Sequence, residues 1–271
     1  MSERPRRFSI RRVLVVLDSS PQNPAVLEEA VGLAAGLGTE LQALFVEDTN
    51  LLRLTQLPFL RAVDPFSGAT RELNSQSMER GMRAYASRAR EALARTASRN
   101  RVRWSFRTVQ GTGASGALTV ASDADLVILG GSSRPTDRAV QEAVSRATGS
   151  VLVLRERVRP GGPVLVLYDG TPGSSRALEI ASSLASTWRA PLVLLVPAGS
   201  PETPPELVER LTARVHRLSR VDVPGVLNAM RAEGGTLLVL PLSAQPTPAL
   251  SLWELLEESR YPVLLVAERG A

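Results

Sequence analysis

The 271-residue chain contains no cysteine and no lysine, and His216 is its single histidine. Without cysteine it can form no disulfide, thiolate zinc site, iron–sulfur cluster or cysteine nucleophile. Without lysine it lacks a P-loop lysine, a Schiff-base lysine and a lysine general base. A serine–histidine triad or a multi-histidine metal site would have to be built around His216 alone. We expect His216 to be a solvated residue in a polar helical segment from Glu206 to Ser219. The composition therefore favours a protein that is not an enzyme and has no metal site.

All 32 basic residues are arginines, and with 27 acidic residues they give a formal net charge of +5 and a pI near 10.7. Because arginine does not deprotonate, a lysine-free chain has a high pI even at a modest net charge. Acidic residues are interspersed along the sequence, which argues against nucleic acid as a partner. The arginines from Arg80 to Arg107 are interleaved with Glu79 and Glu91, a pattern typical of a solvated helix face. The alternative is that these arginines bind an acidic partner.

The longest uncharged stretch, Gly234 to Trp253, contains three prolines and several polar residues, which a lipid-facing helix would not carry. The arginine-rich start is followed by only the short apolar run Val13 to Leu17 before Asp18, too short for the core of a signal peptide. We therefore expect no membrane span and a cytoplasmic location.

The chain contains an internal repeat. A gapless alignment of Val13–Val46 with Val164–Pro197 gives 12 identities in 34 positions. Two homologous halves are the simplest explanation of this similarity. We predict a first domain over residues 9–158 and a second, shorter domain over residues 163–271.

Each half begins with a continuous apolar run, VLVVLD or VLVLYD, typical of a strand that is buried on both faces of a parallel sheet. Helical stretches follow at 25–36 and 176–187, and strands and helices alternate from there to the end of each half. This alternation implies right-handed crossovers and a sheet covered on both faces. The predicted fold class is α/β, with two doubly wound five-stranded parallel-sheet domains in tandem.

The first half carries a segment at about residues 49–77 that has no counterpart in the second half. Its central part, Leu51 to Leu60, is too apolar for a plain linker. A loop of this length and composition usually has a role. One prediction is that it forms a flap packed over its own domain. The alternative is that it forms a lid or a dimer contact.

In an open α/β sheet, ligands bind beyond the carboxyl ends of the strands where the strand order reverses. If the first strand of each half is central, Asp18 and Ser19 follow it at this place. A loop of small residues follows the fourth strand at the same edge, and a carboxylate facing such a loop can hold a ribose and phosphates. The alternative is that Asp18 and its counterpart Asp169 only cap the helices that follow. The loop residues are Gly130, Gly131, Ser132 and Ser133.

Residues Gly111–Gly116 spell GxGxxG between a predicted strand and a predicted helix. The motif follows the third strand rather than the first, and the acidic residue in range, Asp137, falls in a loop. A turn and helix start is therefore favoured over a dinucleotide site.

Several segments together resemble the universal stress protein family, in tandem arrangement. The resemblance extends over nearly the whole chain from Arg12, apart from residues 50–77. It implies two domains of the adenine nucleotide alpha hydrolase-like fold, related by a pseudo-twofold axis. It also implies that the closing strands Val151–Leu154 and Val263–Val266 pair or pack across that axis, which would protect two apolar edges. The segments are VLVVLDSS and VLYDGT, AVLEEAVGLAAGLGTELQALFV and RALEIASSLASTWRAPLVLLV, DADLVILGGSS, VLVLRE and RYPVLLVAE.

Nucleotide-binding members of that family carry a loop of the form GxxGxxxxxxxxxG(S/T) after the fourth strand. The resemblance implies that Asp18 lies near the adenosine, Val46 near the adenine, and Gly130 at the first glycine of the loop. Ser133 stands at the second glycine, and the third is missing because the loop is too short. Asp137, near where that third glycine would lie, would repel a polyphosphate.

In the second half, Asp169 and Gly170 match the family's opening, but Pro241 replaces the first glycine and Ala249 the last. Proline has no N–H to offer a phosphate, so this site is predicted to be inactive. We expect weak or lost ATP binding, with AMP, adenosine or a small anion in the first half. ATP with magnesium is the alternative ligand, and no cofactor is certain from the sequence.

The expected function is that of a non-enzymatic stress-response or regulatory module. Its expected partner is itself, as a pseudo-dimer within the chain or as a homodimer, with a protein partner at the Leu51–Leu60 flap as a further prediction. Two alternatives stay open. One is a partner-binding scaffold without a ligand, and the other is a slow nucleotide hydrolase that uses Asp18 and magnesium.

Overall fold

The computed structural model describes residues 10–18, 23–49, 53, 61–63, 70–72, 75–111, 124–130, 144, 149–155, 158, 161–201, 203–242 and 250–267. Within them, the strands are β1 Arg12–Leu17, β2 Glu40–Asp48, β3 Arg61–Val63, β4 Thr70–Glu72, β5 Trp104–Gly111, β6 Leu126–Leu129, β7 Ser150–Val153, β8 Val164–Leu167, β9 Leu192–Pro197, β10 Arg214–Leu218, β11 Leu237–Pro241 and β12 Val263–Val266. The helices are α1 Asn23–Leu37, α2 Ser75–Asn100, α3 Pro172–Trp188, α4 Pro205–Leu211, α5 Val223–Ala232 and α6 Leu252–Glu258.

Ten of the strands form one sheet in the order β10-β9-β8-β11-β12-β7-β6-β1-β2-β5. Five strands come from each half of the chain, they are parallel within each half, and both halves have the same internal order. The two sets meet where β7 and β12 pair antiparallel, with Leu152 opposite Leu264. The predicted α/β fold is confirmed, and the closing strands pair as the resemblance implied.

The strands are apolar throughout because helices cover both faces of the sheet. In β1, all residues from Val13 to Leu17 are buried. Side chains from one face pack with α1, α2 and α3, and side chains from the other face pack with α5 and α6. Alternate residues of one strand therefore enter different cores, as a doubly wound sheet requires.

Helix α2 is a long polar helix of 26 residues that carries Arg80 to Arg99. Its buried residues recur at helical spacing and lie on the side that packs against α1. The rest of its surface is polar and largely exposed. The buried residues are Met82, Ala86, Ala89, Leu93 and Ala97.

The additional segment of the first half contains one antiparallel hairpin, formed by β3 and β4. Apart from Arg53, the apolar stretch from Leu51 to Leu60 lies outside the described residues, so the prediction of a flap or a dimer contact stays a prediction. Among the helices that are described, none has the length and apolar character of a membrane span.

The placement of His216 differs from the sequence-based expectation of a helix from Glu206 to Ser219. Helix α4 ends at Leu211, and Thr212 follows in a left-handed conformation with φ of 51°. The chain then forms β10, an edge strand that contains His216. The imidazole is half-buried, and its Nδ1 lies 2.9 Å from Oε1 of Glu233. The expectation of a solvated helical histidine was wrong because a short turn, Thr212 and Ala213, separates a short helix from a short strand.

The two halves secure the start of their central strands in different ways. In the first half, Asp125 Oδ2 accepts hydrogen bonds from the N–H groups of Arg11 at 2.9 Å and Arg12 at 3.3 Å. The repeat counterpart of Arg12 is Pro163, which has no N–H to satisfy. At the position of Asp125 the second half has Thr236. The backbone bond is the same in both halves: the Thr236 N–H donates to the Pro163 carbonyl at 2.9 Å, and the Asp125 N–H donates to the Arg12 carbonyl at 3.1 Å. Only the side-chain acceptor differs. An acceptor side chain, Asp125, is thus present in the half where residue 12 has an N–H, and it is absent in the half where the equivalent residue is proline.

Helices α1 and α3 end at equivalent positions with different residues. Gly38, with φ of 63°, follows α1, and Arg189, with φ of 51°, follows α3. Both N–H groups donate to a carbonyl of the last helical turn, Ala35 and Ser186 respectively, at 3.2 Å. The geometry is the same, but only glycine adopts the left-handed region without a steric penalty.

We therefore expect Arg189→Gly to raise the free energy of unfolding by about 0.5–1 kcal/mol, because relief of left-handed strain exceeds the added entropy of the unfolded chain. Gly38→Arg, at the matched position, should lower it by about 1 kcal/mol. Urea denaturation of both variants measures the difference. A loss of stability in Arg189→Gly would contradict this account of the helix end.

Candidate functional site

The strand order reverses between β1 and β6, where the chain continues from β1 to β2 on one side and from β6 to β7 on the other. The carboxyl ends of these two strands diverge there and leave a crevice, the usual ligand position in this fold class. The second half has the same switch point between β8 and β11. The predicted central position of the first strand of each half is therefore observed.

Three of the predicted site residues lie at the carboxyl ends of three neighbouring strands of the first half, β6, β1 and β2. Because Val16 is opposite Leu129 and Leu17 is opposite Phe45, Gly130 and Val46 lie within one residue of the level of Asp18. Asp18 is half-buried, whereas Val46 is only 2% exposed. Any contact from Val46 to a ligand would therefore come from its backbone. The remaining candidates lie outside the described residues and stay predictions: Ser19, Gly131, Ser132, Ser133 and the neighbouring Asp137.

Gly130 has a packing role that the sequence did not reveal. A Cβ atom at this position would lie 2.8 Å from Cγ2 of Val26 and 3.4 Å from Cβ of Leu154. Val26 belongs to α1 and is buried, so it has little room to move. At the equivalent positions of the second half, the smaller Ala177 replaces valine and the larger Pro241 replaces glycine. In each half, a small residue therefore faces a larger one: Gly130 faces Val26, and at the equivalent positions Pro241 is matched with Ala177.

In the second half, the carboxylate of Asp169 is occupied by its own turn. Its Oδ1 accepts hydrogen bonds from the Thr171 N–H at 3.0 Å and from the Thr171 hydroxyl at 2.6 Å. The Asp169 N–H donates to Oγ of Ser174 at 3.3 Å. The Ser174 N–H in turn donates to Oγ1 of Thr171 at 3.2 Å. Thr171 is therefore the cap of α3, and the alternative that Asp169 itself caps this helix was wrong: Asp169 orients the cap.

Gly170 completes this turn with φ of 85°. Burial is the largest single influence on the Asp169 carboxyl and raises its pKa. The hydrogen bonds from Thr171, with smaller contributions from Ser174 and the backbone, together outweigh burial and hold the pKa of Asp169 below its ordinary value. The turn therefore stabilises the ionised form of the side chain.

A lowered pKa in the folded state means that Asp169 stabilises the protein above its unfolded pKa of about 3.9, and that this contribution is lost as the pH falls through the lower folded value. Asp169→Asn keeps an acceptor oxygen but removes the charge. We expect it to lower the free energy of unfolding at pH 7 by less than about 1 kcal/mol, since the carboxylate is largely screened by solvent. Chemical denaturation at pH 7 and at pH 2.5 measures the difference, which should shrink at the lower pH. A difference that is independent of pH would contradict the assignment.

Pro241 ends β11 at the position that Gly130 occupies after β6. The following residue, Leu242, donates its N–H to the Val266 carbonyl at 2.7 Å. Neither residue therefore has a free N–H at this strand end. Residues 243–249, including Ala249, lie outside the described residues.

His216 lies at a different place from either switch point. Strand β10 is the outer strand of the sheet, seven strands from β1. Oε1 of Glu233 contacts His216, and Oε2 of the same carboxylate lies 3.3 Å from the guanidinium of Arg214. Within the described part of the chain, no three His, Asp or Glu side chains group so as to hold a metal ion.

A family model for the universal stress protein family matches residues 9–155, more than half of the chain. The chain belongs to the universal stress protein family. Membership supports a role of the universal stress protein type for the chain. No curated protein sequence matches it.

Solved structures of universal stress proteins share the fold over nearly the full length. A universal stress protein from Archaeoglobus fulgidus superposes with a TM-score of 0.66 at 14% identity, covering 94% of this chain and 96% of its own. A candidate universal stress protein from Pseudomonas aeruginosa gives a TM-score of 0.62 at 14% identity, with 96% and 94% covered. A protein of unknown function from the same species gives 0.61 at 13% identity, with 96% and 93% covered.

Proposed function

We propose that this protein is a non-enzymatic regulatory module of the universal stress protein type, acting in the stress response, in which two universal stress protein domains are joined in one chain. The proposed domains are residues 9–158, with the additional segment at about 49–77, and residues 163–271. The internal sequence repeat supports this division, as does the identical strand order of the two halves. The antiparallel pairing of β7 with β12 gives the chain the arrangement of a dimer within itself.

The contrast between the two switch points supports the assignment of a ligand site to the first half alone. In the second half, the residue at the end of the fourth strand is Pro241, which has no N–H to offer a ligand. In the first half, the equivalent residue is Gly130, which has an N–H and lies within one residue of the level of Asp18. This contrast is the observation that carries the proposal.

The ligand that we propose is AMP, adenosine or a smaller anion rather than ATP. The loop after β6 is shorter than the glycine loop of nucleotide-binding relatives and contains Asp137, which would repel a triphosphate even with magnesium present. Each lost charge-assisted hydrogen bond to a phosphate weakens binding by roughly 1.5–3 kcal/mol, or more than tenfold. Two missing contacts would therefore greatly reduce the affinity for ATP.

The placement of His216 supports a role without catalysis. It lies about 34 Å across the sheet from β1, at the roughly 4.8 Å spacing of neighbouring strands, and its ring contacts Glu233. A hydrolase needs an activated nucleophile or water with an oriented base, and the chain offers neither cysteine nor lysine for that purpose. A cytoplasmic location and a homodimer complete the proposal.

Two measurements on the full chain test it. Native mass spectrometry of protein purified from cells should detect AMP, adenosine or no nucleotide, rather than ATP. Incubation with ATP and magnesium should release no more phosphate than an Asp18→Ala control. Steady ATP hydrolysis that this substitution abolishes would overturn the proposal in favour of a slow hydrolase.

A further inference from the structure

One side of the first half has a strong excess of arginine. Residues 79–107, which form most of α2 and the start of β5, contain nine arginines and two glutamates, a net charge of +7. The whole chain carries +5, so the rest of the sequence is slightly acidic. All nine arginines are exposed, and together they form the arginine face: Arg80, Arg83, Arg88, Arg90, Arg95, Arg99, Arg101, Arg103 and Arg107.

The repeated fold does not require this surface. The helix at the same place in the second half is α4, which has seven residues and a single arginine, whereas α2 has 26 residues. Arginines one turn apart, such as Arg95 and Arg99, repel each other and weaken the helix. The arginine face is therefore an elaboration of the first half that does not serve helix stability.

Within the part of the chain that the structure describes, little of this charge is neutralised by acidic side chains. Glu79 pairs with Arg83 at 3.3 Å, and Glu91 accepts a hydrogen bond from the Ser87 hydroxyl. Arg88 lies over the ring of Tyr85, at 4.9 Å from its centroid. Arg80 donates a hydrogen bond to the Gln76 carbonyl at 3.2 Å. Within the described residues no ion pair involves Arg80 or the remaining members of the face: Arg90, Arg95, Arg99, Arg101, Arg103 and Arg107.

We propose that the arginine face binds an acidic segment of a partner protein. Exposed guanidinium groups bind carboxylates with paired hydrogen bonds, and a cluster of them attracts an acidic chain over a long range. Glu91 lies among the arginines on the exposed side of α2, where it would oppose a continuous phosphate backbone. A protein segment carries its carboxylates at separate positions and can place a neutral residue opposite Glu91. The remainder of this chain has too little net negative charge for a second copy to be the favoured partner.

The test uses the full chain and a fluorescent 20-residue polyglutamate peptide as the probe. One variant changes Arg88, Arg95, Arg99 and Arg103 to glutamine. The matched control changes four exposed arginines of the second half to glutamine, so that both proteins lose the same charge. Circular dichroism verifies that both fold. The control positions are Arg189, Arg210, Arg217 and Arg260.

Fluorescence anisotropy at 50 mM salt should show that the unmodified protein binds the polyglutamate peptide. The affinity of the arginine-face variant for the peptide should be at least tenfold lower, and that of the control variant less than twofold lower. Equal losses in the two variants, or no binding by the unmodified protein, would overturn the proposal. Tighter binding of a 20-nucleotide single-stranded DNA would identify nucleic acid as the partner instead. If the unmodified protein and the control variant form dimers and the variant of the arginine face does not, the partner at this surface is a second copy of the chain. The two proposals are tested with different ligands and different variants, so neither test depends on the other.

Discussion

Replacing Gly149 with alanine is expected to lower the free energy of unfolding by at least about 3 kcal/mol. Gly149 precedes β7, and a Cβ atom there would lie 2.6 Å from the carbonyl oxygen of Asp125 and closer still to that of Ala124. Both obstacles are backbone atoms at the start of β6, which pairs with β7. The Ser150 N–H donates to the Asp125 carbonyl at 2.9 Å, so the clash can be relieved only by breaking the pairing.

Urea denaturation of Gly149→Ala against Gly32→Ala measures this effect. Gly32 lies on the exposed side of α1, where a Cβ atom would meet nothing within 4 Å. The control should therefore be more stable than the unmodified protein by roughly 0.5–1 kcal/mol, since alanine favours helix. A Gly149→Ala protein within about 1 kcal/mol of the unmodified protein would show that β6 and β7 do not meet this closely.

Gly130→Ala is expected to lower the free energy of unfolding by about 1–3 kcal/mol because the new methyl group overlaps Val26. Val26→Ala alone should lower it by about 2 kcal/mol, since two buried methyl groups are removed. In the double variant Val26→Ala/Gly130→Ala, the space left by valine accommodates the new methyl group. The second half has the same kind of combination, with Ala177 on the helix and Pro241 at the strand end. The loss should then be smaller than the sum of the single losses by at least about 1 kcal/mol.

A double-mutant cycle by denaturation gives this coupling directly. Additive losses would mean that Gly130 is not restricted by Val26. The cycle also matters for binding experiments, because Gly130→Val would disturb α1 as well as any ligand. A loss of binding in a Gly130 variant is informative only when the Val26→Ala background restores the packing.

The strands and helices of the sheet could be predicted because buried parallel strands are continuously apolar and because the repeat presents each pattern twice. The meeting of β7 and β12 was implied by the family resemblance, and the need to protect two apolar edges supported it. The strand that contains His216 could not, because five residues between a short helix and a turn carry too weak a periodicity. The αL conformation of Thr212 that ends α4 has no signal in a threonine.

The part of the candidate site that could be predicted is the part that follows from the order of the strands in the sheet. Asp18 and Gly130 follow the first and fourth strands, and a central first strand places both residues at the edge of the sheet where ligands bind, so their proximity was expected. The contact between Gly130 and Val26 was not, because residues 104 positions apart meet only through the packing of α1 on the sheet. The hydrogen bonds of Asp169 were also missed, although Asp-Gly-Thr before a helix is a local signal that could have indicated a turn with a threonine cap.

The central claim is that ligand binding resides in the first half alone, and calorimetric titration of AMP into three proteins tests it most directly. Asp18→Ala should weaken AMP binding at least about tenfold, the loss of one charge-assisted hydrogen bond, and Asp169→Ala should leave it unchanged. The unmodified protein should bind AMP at least as tightly as ATP. Submicromolar ATP binding, or an effect of Asp169→Ala as large as that of Asp18→Ala, would contradict the account.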